Sequence, residues 1–148
     1  MPAANLHLTL RFLGNVEEGR LQALEGLLEA VQWPTFELAL DGVGAFGSGR
    51  YKRVLWLGIA GGAEPAAALA SHVERACVAA GLPPEERPFR AHVTLARARD
   101  RRGAPEPTLA DLPALEPWTA PEFVLYRSKP GPRGSEYIPL RRFALDRL

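Results

Sequence analysis

Cysteine is almost missing from this chain. Cys77 stands alone, which excludes an internal disulfide framework and any metal cluster built on several thiolates. Histidine is scarce as well, with three in 148 residues. Lysine is confined to Lys52 and Lys129, and arginine supplies the rest of the positive charge. No apolar run approaches the roughly 20 residues that a membrane-spanning helix needs. The opening "MPAANLHLTL" has no basic region followed by an unbroken apolar segment, so it does not read as a signal peptide, and the cytoplasm is the expected compartment. The formal net charge of +1 gives no bulk electrostatic sign of a nucleic-acid binder. No low-complexity tract or linker divides the chain. Residues 1–148 therefore read as one domain, long enough to bury a single core.

Against this scarcity, two of the three histidines fall into copies of one pattern. "NLHLTLRFLG" begins at residue 5 and "RAHVTLARAR" at residue 90. Each places a His, skips a residue and places a Thr within an apolar, strand-like run. In residues 5–12, Leu6, Leu8, Leu10 and Phe12 alternate with His7, Thr9 and Arg11, which predicts a strand with one apolar face. Phe12 is expected in the core. Leu21, Leu24, Leu28 and Val31 recur at helical spacing, so residues 17–32 are expected to form a helix closed by Pro34. Strands follow at 36–46 and 53–60, then a helix at about 65–80 ended by Gly81 and Pro83. Cys77 falls on its apolar stripe and His72 on its flank. The second histidine run is the next strand. A short helix is expected around 108–115, and 122–128 with 136–145 form a closing pair of strands. The order strand, helix, strand, strand, helix, strand, short helix, strand, strand is an α+β pattern with much antiparallel pairing.

Residues i and i+2 of a strand share a face, so His7 stands beside Thr9 and His92 beside Thr94. If the two halves pack with approximate twofold symmetry, the pairs face each other across a cleft. Imidazole titrates near neutrality, so one ring can accept a proton while the other donates one. The Thr hydroxyls can donate hydrogen bonds to phosphate oxygens. That set suits phosphodiester chemistry without a metal. Neither motif adds a Cys, Asp or Glu at ligand spacing, so no metal site and no cofactor are expected.

The paired His-x-Thr runs are the signature of the 2H phosphoesterase superfamily. Together with "EFVLYRS" they resemble the RNA 2′,3′-cyclic phosphodiesterases, also called 2′-5′ RNA ligase-like proteins. The resemblance implies two pseudo-symmetric lobes, each an antiparallel sheet with helices, flanking a central cleft. It implies hydrolysis of an RNA 2′,3′-cyclic phosphate end to a 2′-phosphomonoester, and in some members the joining of RNA ends through a 2′-5′ bond. Carried over, His7 is the proton donor to the leaving O3′, His92 the base, and Thr9 and Thr94 hold phosphate oxygens. Arg97 matches the Arg of the family's H-V-T-[LI]-A-R run. Strict alternation sends it to the face opposite His92, so its use requires a twist or a bulge. Arg11 shares the expected face of His7 and is a second candidate for phosphate. Tyr126 either stacks on a base or packs at the lobe boundary. Small cyclic nucleotides and 2′-5′ oligonucleotides stay open as substrates, as does a module that binds nucleotides without turnover. Relatives usually carry a strand and a helix before the first motif. Here the motif begins at residue 5, so either the start codon is misassigned, or the chain is truncated, or the unit has been lost, and true loss would leave apolar surface and a sheet edge uncovered.

Overall fold

The structure is a computed structural model that describes residues 6–48, 51–97, 104–105, 116–132 and 134–146. Its elements run α1 (Glu18–Glu29), β1 (Phe36–Ser48), β2 (Tyr51–Gly61), α2 (Ala63–Ala79), β3 (His92–Arg97), β4 (Ala104–Pro105), β5 (Trp118–Ala120), β6 (Glu122–Gly131) and β7 (Gly134–Ala144).

Both helices form where apolar residues recur at helical spacing. Leu24 and Leu28 are the buried residues of α1. In α2 the stripe is Ala66, Leu69, Ala70, Val73, Ala76 and Cys77. The end of α2 is specified by its sequence. Gly81 takes φ 95°, and the amides of Gly81 and Leu82 donate to the carbonyls of Val78 and Cys77. This is a Schellman stop, in which only glycine adopts the left-handed backbone without steric cost. Leu82 is buried and closes it with an apolar contact.

The strands make two antiparallel sheets. One has the order β3-β2-β1-β5, with β4 on β2, and the other is the β6-β7 hairpin. One buried cluster joins them. It takes Leu24 and Leu28 from α1, Leu69, Val73 and Cys77 from α2, Leu38 from β1, and Phe123, Leu125 and Phe143 from the hairpin. Burial of such side chains is the dominant favourable term of folding, at about 25 cal/mol per Å² of apolar surface. Among the described residues no helix is long and apolar enough to cross a membrane.

The α+β class and the main elements agree with the sequence reading, and two differences matter. Residues 6–12 do not form a ladder strand. Among the described residues their pairing is one isolated antiparallel bridge, Leu8 with Val93. Leu8 and Leu10 lie against the core, but Phe12, expected inside, is 71% exposed. Alternation fixes two faces only where the chain stays extended, and here the chain bends at Leu10, before Phe12. β4 and β5 were missed, because neither a two-residue nor a three-residue strand carries a period. The short helix expected at 108–115 lies outside the described residues.

Candidate active site

The second histidine motif is held by a sheet. His92 pairs with Gly58, Val93 with Leu57 and Thr94 with Trp56. A register shift follows, so that Ala96 pairs with Leu55 and Arg97 with Val54. β3 thus carries one extra residue at Leu95, which is the bulge that Arg97 required. The bulge returns Arg97 to the Val54–Trp56–Gly58 row, opposite which His92 and Thr94 sit. The Arg97 side chain is outside the described residues.

Aromatic rings back this motif. The Phe46 ring meets the His92 imidazole edge-on at 5.6 Å between centroids, and the Trp56 ring does so at 6.2 Å. Trp56 fits because its cross-strand partner is Gly44. A Cβ at Gly44 would overlap the indole ring. The His92 imidazole is also oriented by its own chain, with Nδ1 at 2.6 Å from the Arg90 carbonyl oxygen. A carbonyl only accepts, so Nδ1 carries the hydrogen, and in the neutral ring the Nε2 lone pair is available.

The first motif has a different kind of support. The Leu8–Val93 bridge brings His7 beside Thr94 and Thr9 beside His92. Val93 is buried and Leu8 lies against the core. Residues flanking a bridge pair lie on the opposite face, so His7, Thr9, His92 and Thr94 gather on the side away from the core. Both histidines and Thr94 are half-buried, and Thr9 is exposed. His7 stands against the hairpin. Its ring meets Tyr137 edge-on at 4.6 Å and lies 6.4 Å from Tyr126. Tyr126 is therefore beside the site, not packed away, and is 40% exposed. Tyr137 was not singled out in the sequence. Pairing the hairpin would have found it, since Tyr137 sits opposite Ser128 of the "LYRS" run.

Arg11 departs from expectation. Its Nε donates to Glu74 Oε2 at 2.6 Å, Nη1 to the Phe12 carbonyl at 2.7 Å, and Nη2 to the Pro83 carbonyl. Glu85 Oε2 lies 3.6 Å from Nη1, and the side chain is 9% exposed. The guanidinium is turned to α2 and the loop after it, because two carboxylates and two carbonyls converge there. It is not directed to the His7 face.

Cys77 is fully buried beneath this group. Burial pushes its thiol up, the positive Arg11 pulls it down, and the negative Glu74 raises it further. His72 lies apart from both motifs, 5.0 Å from the Trp33 ring, and lines a shallow groove of about 390 Å³ between α1 and α2. Among the described residues no group of three His, Cys, Asp or Glu is placed to hold a metal ion.

Comparison with known proteins fits this geometry. The model of the 2′-5′ RNA ligase superfamily matches residues 1–131. An RNA 2′,3′-cyclic phosphodiesterase of Aeropyrum pernix is 38% identical over 101 residues, covering 68% of this chain and 57% of the relative. The chain thus spans little more than half of that relative's length. The Escherichia coli protein of the same name is 34% identical over 144 residues, covering 97% of this chain and 77% of the relative. The crystal structure of E. coli LigT in apo form superposes with a TM-score of 0.79 at 33% identity, over 98% of this chain and 78% of that one.

Proposed function

The chain belongs to the 2′-5′ RNA ligase superfamily, and on that premise we propose that it hydrolyses RNA 2′,3′-cyclic phosphate ends to 2′-phosphomonoesters by two-histidine acid–base catalysis. The observation that carries the reading is the Leu8–Val93 bridge, which gathers both His-Thr pairs on one side of the chain. Relatives that bear the name RNA 2′,3′-cyclic phosphodiesterase support the substrate class. Residues 1–148 act as one catalytic unit in this reading, and an RNA substrate places it in the cytoplasm.

The roles are those the resemblance implies, and the hydrogen bond at His92 is compatible with them. Neutral His92 offers Nε2 to a water molecule, because its Nδ1 hydrogen is committed to the Arg90 carbonyl. Water oxygen bonds to phosphorus as its proton passes to Nε2. The P–O3′ bond breaks, and protonated His7 gives its proton to O3′. The products are a 2′-phosphate and a free 3′-hydroxyl. Thr9 and Thr94 hydroxyls donate to the non-bridging oxygens, whose charge grows in the transition state. Arg97, returned to register by the bulge, supplies positive charge to the same oxygens. A ribose 5′-hydroxyl in place of water gives a 2′-5′ linkage by the same proton transfers.

The test is product analysis. An RNA oligonucleotide ending in a 2′,3′-cyclic phosphate is incubated with the protein in EDTA. The expected product carries a 2′-phosphate. No turnover in EDTA, or a 3′-phosphate product, would overturn the reading.

A further inference from the structure

The two motifs differ in what holds them, and this raises the question of what keeps His7 at a fixed distance from His92. His92 lies in a ladder of five pairs with β2, whereas among the described residues the segment of His7 has one bridge. One bridge sets the face of its neighbours but not the path of the residues beyond them. A second anchor lies four residues on, where Arg11 reaches three separate partners at once. It touches Glu74 on α2, the Phe12 carbonyl on its own segment, and the Pro83 carbonyl on the loop that leaves α2.

That loop is the approach to the second motif. Glu74 uses its other oxygen to accept from the Glu85 amide at 2.9 Å. Glu85 in turn accepts from the Arg87 amide at 3.2 Å. The chain then runs through Arg90, whose carbonyl holds His92 Nδ1. One carboxylate, Glu74, therefore ties the segment of the first histidine to the segment that delivers the second. The fork geometry of guanidinium is what permits this. An ammonium is a point charge and does not present parallel donors to a carboxylate and a carbonyl together.

We propose that Arg11, through Glu74, is a positioning residue that sets the placement of His7 relative to His92. It touches neither substrate nor reacting atoms, and it acts by fixing the path of residues 6–12. The proposal rests on the acid–base reading above. Misplacement of a catalytic group by about 1 Å can cost on the order of 10²-fold in rate.

The test is a double-mutant cycle on a 2′,3′-cyclic-phosphate oligonucleotide, with Arg11→Met, Glu74→Gln and the pair together. Each single variant is expected to lower kcat by roughly 10- to 100-fold with KM within about twofold of wild type. The pair should lose no more than Arg11→Met alone, since that variant already breaks the link to Glu74. Arg11→Lys should remain below wild type. If Glu74→Gln keeps full kcat while Arg11→Met loses it, Arg11 acts on substrate directly and the proposal is wrong. Full kcat in Arg11→Met, or full restoration by lysine, overturns it equally. A second arm needs no turnover. The NMR signals of the His7 ring should shift in substrate-free Glu74→Gln, and unchanged signals count against the proposal. Absent turnover in wild type would instead defeat the functional reading, which keeps the two failures apart. Glu74→Gln leaves the Arg11 contacts to both carbonyls, so it serves if Arg11→Met does not fold.

Discussion

The same tetrapeptide pattern stands in two unlike settings. His92 belongs to a paired strand and faces Phe46 and Trp56, with Nδ1 tied to a backbone carbonyl. His7 sits on a segment outside the ladders, beside two tyrosines and four residues from a half-buried ion pair. The sheet supports one half of the site, and side chains support the other. Identical local sequence therefore does not imply identical mechanical support, and perturbations should divide the two halves.

The largest expected effect removes that division. His7→Ala and His92→Ala should each reduce turnover of the cyclic phosphate by roughly 10²–10⁴-fold, the usual contribution of a general acid or base. Their pH profiles should differ. Loss of the base should abolish the acidic limb of kcat/KM, and loss of the acid should abolish the alkaline limb. Measuring kcat/KM from pH 5 to 9 assigns the two roles. Profiles that lose the opposite limbs would exchange them.

Next in size is a substitution aimed at the second motif alone. Gly44 leaves space for the Trp56 indole, which backs His92. Gly44→Ala forces a methyl into that ring, and overpacking of this kind typically costs about 1–3 kcal/mol. A lowered thermal midpoint, with the amides of residues 6–12 exchanging at the wild-type rate, would show that the aromatic wall serves His92 only. Faster exchange across both segments would mean that the two halves share their support after all.

What could be read from residues alone follows the same divide. The second motif was legible because a regular strand obeys alternation, and even the need for a bulge before Arg97 could be stated. The helices were legible from Leu24, Leu28 and the α2 stripe, since apolar spacing reports burial directly. The first motif was not legible in the same way. Alternation placed Phe12 inside and Arg11 beside His7, yet Phe12 is exposed and Arg11 turns to Glu74. Those outcomes depend on a partner 63 residues away, which no local period encodes. Tyr137 and the Phe46–Trp56 wall also required pairings between strands before they could be seen.

The smallest effect tests the first motif's anchor through pH. Cys77 is fully buried, and its thiol is pushed up chiefly by that burial, with Arg11 pulling it down and Glu74 raising it. An acid whose folded value is raised favours its neutral form in the folded state. Its contribution to stability is intact below the unfolded thiol value of about 8.5 and declines as pH rises from there through the folded value. The thermal midpoint should therefore fall more steeply between pH 8 and 10 in wild type than in Cys77→Ala, whatever the absolute stability of the variant. The amides of residues 6–13 should keep their protection while the folded thiol stays neutral and lose it only above the folded value, where a thiolate beside Glu74 competes for Arg11. Equal slopes in the two proteins would mean that the thiol does not report on the clamp. Equal slopes together with unchanged amide protection would leave the first motif independent of the charge beneath it, and the contrast between the two halves would then rest on the strand pairing alone.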